Sequence, residues 1–295
     1  MSFTDLTIAN GWIPVQFGTD PLLRDVQKSA VEAVGRKVKM VTAQAKVPRF
    51  VASGIDVVAE GGTIPLKDAT PDSVILDALK FADRFAESTE DAEDAVYDAF
   101  VAYRNEWLSN FAIAFDNACL GTAGAANGTT RPFTSVYQSV GSGNIQATAG
   151  ALTFEHLRDA VGEMETNRKG GLVIIAHPSF AMSLRDLKDA AGDRVAALGE
   201  SGLNGSVPTV FGHSVAFSYG AVHTTTFSDS PSGNPLLVVA NKSDLIVGVR
   251  SGPESQVSKD EQWSTDNLEL KMRARRAFAL ASADSARVVE LTAGA

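Results

Sequence analysis

What this chain lacks narrows its chemistry first. It has one cysteine, Cys119, so no disulfide can form within it, and a reducing compartment fits best. No histidine or basic residue lies near Cys119 in sequence to draw out a thiolate, so it reads as a small buried helix residue. The four histidines, His156, His177, His213 and His223, show neither H-x-x-x-H nor H-E-x-x-H spacing, so no metal site is expected. Apolar runs such as Leu172–Ala176 and Leu236–Ala240 fall far short of the ~20 residues that cross a bilayer. The opening "MSFTDLTIANG" has no basic start and no apolar stretch, so no signal peptide is expected. Positive charge is also in deficit, with 26 Lys and Arg against 35 Asp and Glu and a net charge of −9. A protein gripping phosphate backbones over its whole surface needs the opposite balance.

The chain also lacks any Gly-Lys pair, and the phosphate-cradling loop G-x-x-x-x-G-K-[ST] cannot be written without one. This matters because Asn241-Lys242-Ser243-Asp244 follows an apolar run and matches the N-K-x-D base reader of GTPases. A base reader with no phosphate cradle reads instead as a polar turn between two strands. "AHPS" brings His177 near Ser179, but no G-x-S-x-G elbow supports a hydrolase. Glu87 to Asp98 holds six acids and no base, which a helix start explains better than paired catalytic carboxylates. No constellation for catalysis or for a cofactor survives, and a soluble α/β enzyme remains only as a rival reading.

What is present is 44% hydrophobic residues, enough to bury a substantial core. Asp20 and Pro21 suit the start of a helix that Gly35 stops, after an apolar, irregular beginning. In 46–87, "KVPRFV" and "IDVVAE" read as short strands and Gly61-Gly62 as a turn, while 72–85 fits strand and helix periods equally. Such a thin hairpin cannot bury itself. Ser88 and Asp91 suit a capping box for a helix over 88–120, with Val96, Phe100, Tyr103, Trp107, Phe111, Phe115 and Ala118 along one face. Its length would be roughly 48 Å, longer than a small domain is wide. Residues 121–150 hold six glycines and one charge, Arg131, and read as a loop or domain link. Thr153 caps a helix over about 154–166, and 151–248 alternates helix and strand. In 268–281, Leu268, Leu270, Met272 and Ala274 share one face; Glu269, Lys271, Arg273 and Arg275 share the other. With Arg276 these make a basic strip without aromatic platforms, suited to an acidic patch on another subunit rather than to DNA.

The order of these parts resembles the major capsid proteins of tailed phages, the Hong Kong 97 fold, from about residue 20 to the end. "AKVPRFVASGIDVVAEGGTIPLKDATPDSVILDALKFA" is similar to that family's extended E-loop, and "STEDAEDAVYDAFVAYRNEWLSNFAIAFDNACLG" to its spine helix. "LVIIAHPSFAMSLRDLKDAAGDRV" and "VFGHSVAFS" resemble the axial domain; "DLIVGVRSGPESQVSKDEQW" through "ARVVEL" resembles the return to the peripheral domain. The resemblance implies an α+β fold with an arm (1–45), an E-loop (46–87), a peripheral domain (88–150 and 249–295) and an axial domain (151–248). It also implies that 72–85 is extended. It implies a structural protein, not an enzyme, whose pentamers and hexamers close an icosahedral shell around double-stranded DNA in the host cytoplasm. No cofactor is implied and no membrane; a portal and a separate scaffolding protein are, with room for decoration proteins. An encapsulin-like compartment is the rival on the same fold. Some relatives join subunits by a lysine–asparagine isopeptide bond assisted by a glutamate. Lys67 and Asn267 are loose counterparts, but Arg275 stands in the glutamate's place, so self-crosslinking is not expected. The unmatched basic face suggests intersubunit pairing of Glu60, in the E-loop turn, with Arg273 or Arg275; Lys67 and Lys271 complete the expected contact set.

Overall fold

Two sheets and one long helix organise the chain. The computed structural model describes residues 28–51, 55–66, 70–90, 98–150, 152–167, 170–185, 209–258 and 265–292. The first sheet takes β1 (Arg36–Lys39), β4 (Leu79–Ser88), β10 (Leu245–Ser258) and β11 (Asn267–Leu280), in the order β1-β10-β11-β4. β2 (Gln44–Val51) and β3 (Thr70–Asp77) form an antiparallel hairpin of their own. The second sheet takes β5 (Ile145–Ala149), β6 (Leu172–Ala176), β7 (Thr209–Val210), β8 (His213–Phe217), β9 (Leu236–Asn241) and β12 (Ala286–Thr292), in the order β5-β12-β9-β6-β8-β7. The helices are α1 (Ala30–Val34), the spine helix α2 (Ala99–Leu120), α3 (Val136–Val140), α4 (Phe154–Thr166) and α5 (Phe180–Arg185).

Every residue of β6 and of β9 is buried. Central strands covered on both faces read as unbroken apolar runs, because the side chains of either face meet a core. Val173, Ile175, Leu236, Val238 and Ala240 join the cluster around the spine helix; Leu172, Ile174, Leu237 and Val239 join Leu157, Val161 and Met164 of α4 on the other side. The turn that follows β9 is the Asn241–Asp244 stretch. The Asn241 side-chain oxygen accepts from Ser243 N at 2.8 Å, and Asp244 N donates to Asn241 O at 3.2 Å. The N-K-x-D match is therefore an asparagine-closed turn leading into β10.

Ser88 is the last residue of β4, paired with Asn267, and Thr89 and Glu90 directly after it are helical. The described spine helix, Ala99–Leu120, is capped by Asp98, whose side chain accepts from Val101 N at 3.1 Å. Asp91 and Val96 lie outside the described residues. Residues 79–88 have ten registered partners on β11, so the strand runs up to the residue expected as the cap. The described part of the spine helix, Ala99–Leu120, spans roughly 33 Å at ~1.5 Å per residue. From Phe111 to Leu120 every residue is buried, so this half runs between the two sheets instead of showing one face to water.

Two differences concern strand pairing. Residues 121–150 are not loop throughout: Ser135 caps α3, and β5 pairs in parallel with β12. Segments 145–149 and 286–292 thus add strands to the sheet of the axial stretch from either side of it. "IDVVAE" is not a strand, and among the described residues no strand pairs with it. The extended state of 72–85 holds, as β3 and β4 on either side of Ala78. Gly35 does end α1, and an added Cβ there would lie 2.8 Å from Val31 O. The N-cap is Ser29; Asp20 and Pro21 lie outside the described residues.

Candidate intersubunit surface

The base of the β2–β3 hairpin is fixed. Leu76 is buried with Met40, Ile246 and Ala277, and the Arg49 guanidinium donates to Ala281 O and pairs with Asp72. β4 continues from the hairpin and is pinned to the spine helix by aromatic contacts. Phe81 meets Phe111 edge-on at 5.5 Å, and Phe85 stacks on Tyr103 at 4.5 Å. Beyond the base, nothing among the described residues covers the apolar side chains of the tip. Ile55 and Val57 are fully exposed (99% and 101%), and Ile64 and Leu66 nearly so (81% and 94%). Burying side chains of this size is worth about 1.5–3 kcal/mol each. Four of them beside a turn make a contiguous apolar patch of the kind that marks an interaction surface. Glu60 sits exposed in that turn, and Gly61 takes φ +74°, which a glycine adopts without strain.

The second half of the surface is the face of β4 and β11 turned away from the spine helix. Lys80 stands directly opposite Arg275, and Arg84 opposite Lys271. Like charges in register repel, so the isolated subunit carries a destabilising arrangement here. Arg273 is already paired with Glu254 of β10 at 2.9 Å. Arg276 falls on the other face, where it pairs with Glu32 and lies 5.7 Å from the Phe111 ring centroid. Glu269 is buried, not solvent-facing, and its carboxylate meets Arg84 at 3.5 Å. Among the described residues, no acid forms an ion pair with Lys80, Lys271 or Arg275. The expected site thus separates. Glu60, Lys271 and Arg275 are available to a partner, and Arg273 is engaged within its own chain. Lys67 lies outside the described residues. Asn267 begins β11, half-buried. Lys80 and Arg84 were missed by sequence reasoning. Their i, i+4 spacing on one strand face becomes informative only once 79–88 is known to be extended.

Elsewhere the polar groups knit the subunit. Glu290 is buried and accepts from Tyr137 Oη at 2.8 Å, His223 Nδ1 at 2.9 Å and Asn234 Nδ2 at 2.7 Å. Burial would raise its pKa, but together these bonds outweigh burial and hold it below the usual value. The same contact and burial push the Tyr137 hydroxyl up to about 12. His177 Nδ1 serves both Ser179 Oγ (2.8 Å) and Ser179 N (3.2 Å), closing a turn around Pro178. A cleft of about 440 Å³ between β4 and the spine helix is lined by Phe81, Tyr103, Trp107, Phe111 and Phe227 and includes no histidine or cysteine. Cys119 is fully buried, and burial pushes its thiol up, away from the reactive thiolate.

An unfinished apolar tip, a like-charged sheet face and a fixed spine describe a building block. A model of the phage capsid family matches residues 11–291. The chain belongs to the phage capsid family. Solved chains share its fold over nearly their whole length. One from Microbacterium phage Oxtober96 is 16% identical, with a TM-score of 0.75 and coverage of 97% of this chain and 98% of that one. One from Mycobacterium phage Bobi is 16% identical, with a TM-score of 0.74 and 98% of each chain covered. The capsid of an empty GTA particle, computed with C5 symmetry, is 14% identical, with a TM-score of 0.67 and coverage of 97% and 98%. No protein of curated function matches. This capsid protein has the Hong Kong 97-type fold and is a structural, non-enzymatic component of the icosahedral phage capsid. Among the described residues, no helix is long and apolar enough to cross a membrane.

Proposed function

We propose that copies of this capsid protein join as pentamers and hexamers through the E-loop tip and the β4–β11 face, and close around double-stranded DNA. The exposed apolar tip on a fixed base carries this reading. Each contact is modest, and many per subunit multiply into a stable shell. The acidic turn of one copy, at Glu60, meets Arg275 of a neighbour, with Lys80 and Lys271 beside it. Assembly takes place in the bacterial host cytoplasm on a separate scaffolding protein, with a portal at one vertex and outer positions open to decoration proteins. A net charge of −9 suits a container that encloses DNA without sequence-specific grip. Subunits remain uncrosslinked, because Arg275 stands where crosslinking relatives carry the assisting glutamate.

Electron microscopy and light scattering of the purified protein test the reading. Shells are expected, with boiled particles running as single-subunit bands. A monodisperse 31 kDa species under every assembly condition would overturn it. Glu60→Ala should lower shell yield while leaving subunit unfolding unchanged; normal yield removes the Glu60 contact.

A further inference from the structure

Asp116 is an ionisable group that the shell contacts do not use. It lies on the spine helix with no exposed surface, and its carboxylate accepts four hydrogen bonds. Oδ1 takes Ser29 Oγ and Val31 N (3.2 Å); Oδ2 takes Ala30 N (2.8 Å) and Ser218 Oγ (2.6 Å). All four donors are neutral. Three belong to the root of the N-terminal arm, 85 to 87 residues away in sequence, and one to the turn after β8, 102 residues away. An enclosed carboxylate without a cation is costly to hold.

The turn after β8 has its own fastening. Asn117 Nδ2 donates to Gly220 O at 3.1 Å and to Val222 O at 2.9 Å. The backbones touch so closely that a Cβ on Gly220 would lie 2.5 Å from Ile113 O. The start of α1 depends on Asp116 instead. Its other polar tie is the Glu32–Arg276 ion pair.

We infer that Asp116 is a latch for the arm: its carboxylate fixes where residues 29–34 sit on the spine helix, and so where the preceding segment starts, while Asn117 holds the axial turn independently. The ionisable groups around it are few. Glu32 on α1 is paired with Arg276 of β11, and Cys119 is kept neutral by burial. Tyr219 in the turn is exposed, edge-on to His177. β6 and Leu245–Val249 of β10 carry no ionisable group. Burial lifts the Asp116 carboxyl from 3.8 to about 6 against the pull of its hydrogen bonds.

Hydrogen–deuterium exchange of the full-length protein, read by mass spectrometry, tests this. Asp116→Asn turns an amide donor toward other donors. It should speed exchange at 29–34 about tenfold over the wild type while sparing 220–224. Should that variant not fold, Ser29→Ala removes one donor and should loosen the same segment less. Wild-type protection of 29–34 in both variants, or both segments loosening together, would overturn the latch. These readouts concern the subunit in any assembly state, so they stand or fall apart from the shell contacts.

Discussion

The E-loop tip and the meeting of the spine helix with the second sheet are opposite solutions to the same composition. Both are rich in apolar side chains. Around Phe115, Leu236 and Val238 each side chain is enclosed by its own chain, whereas Ile55, Val57, Ile64 and Leu66 face water. The difference lies in who supplies the cover. A two-stranded ribbon has too little surface to bury its own residues, so they gain their free energy only from another molecule. The same division separates Glu290, whose partners all come from its own subunit, from Lys80 and Arg275, which oppose each other and lack an acid among the described residues.

Substitutions should expose this division, beginning with the largest effect. Phe115→Ala, at a site with no exposure, should destabilise the isolated subunit by about 3–5 kcal/mol in urea unfolding. A loss under 1 kcal/mol would mean that the spine does not anchor the core. Glu290 sharpens the comparison through pH. Its pKa is held below its ordinary 4.5, so the stability it contributes is present above that value and is lost as pH falls through its folded pKa. Glu290→Gln should flatten that acid-side loss, and an unchanged profile would show that its bonds are not maintained in solution. Lys80→Ala should reverse the usual sign. Relieving the repulsion from Arg275 should stabilise the lone subunit by roughly 0.2–1 kcal/mol while reducing shell yield. Destabilisation would deny that the pair is frustrated. Smallest of all, Val57→Ser should leave subunit stability within about 0.5 kcal/mol yet weaken assembly. A measurable shift in the subunit's own unfolding would place the tip against its own chain.

Much of this was legible in sequence. Thr153 marked α4 and caps it as expected; the reciprocal bond from His156 is the structure's addition. Missing phosphate-loop residues identified Asn241–Asp244 as a turn. Alternation placed Leu270, Met272 and Ala274 inside. Where sequence misled, a long-range partner decided the outcome. Residues 121–150 looked like loop and supply α3 and β5, the strand forming because β12 lies alongside. Glu269 looked exposed by period and is buried. Asp116 gave no signal, since a lone carboxylate in an apolar helix shows neither its four donors nor their distance along the chain.

By itself the sequence determined the parts: which runs are apolar, where helices can be capped, and that a long thin hairpin would need a neighbour. Local propensity and periodicity carry that information within a few residues. Only the tertiary structure decided that Lys80 faces Arg275, that Arg273 is already engaged, and that Asp116 gathers the arm and the axial turn. Those outcomes depend on register and on contacts from 19 to more than 100 residues apart in sequence, which chain geometry sets only after the sheets have formed.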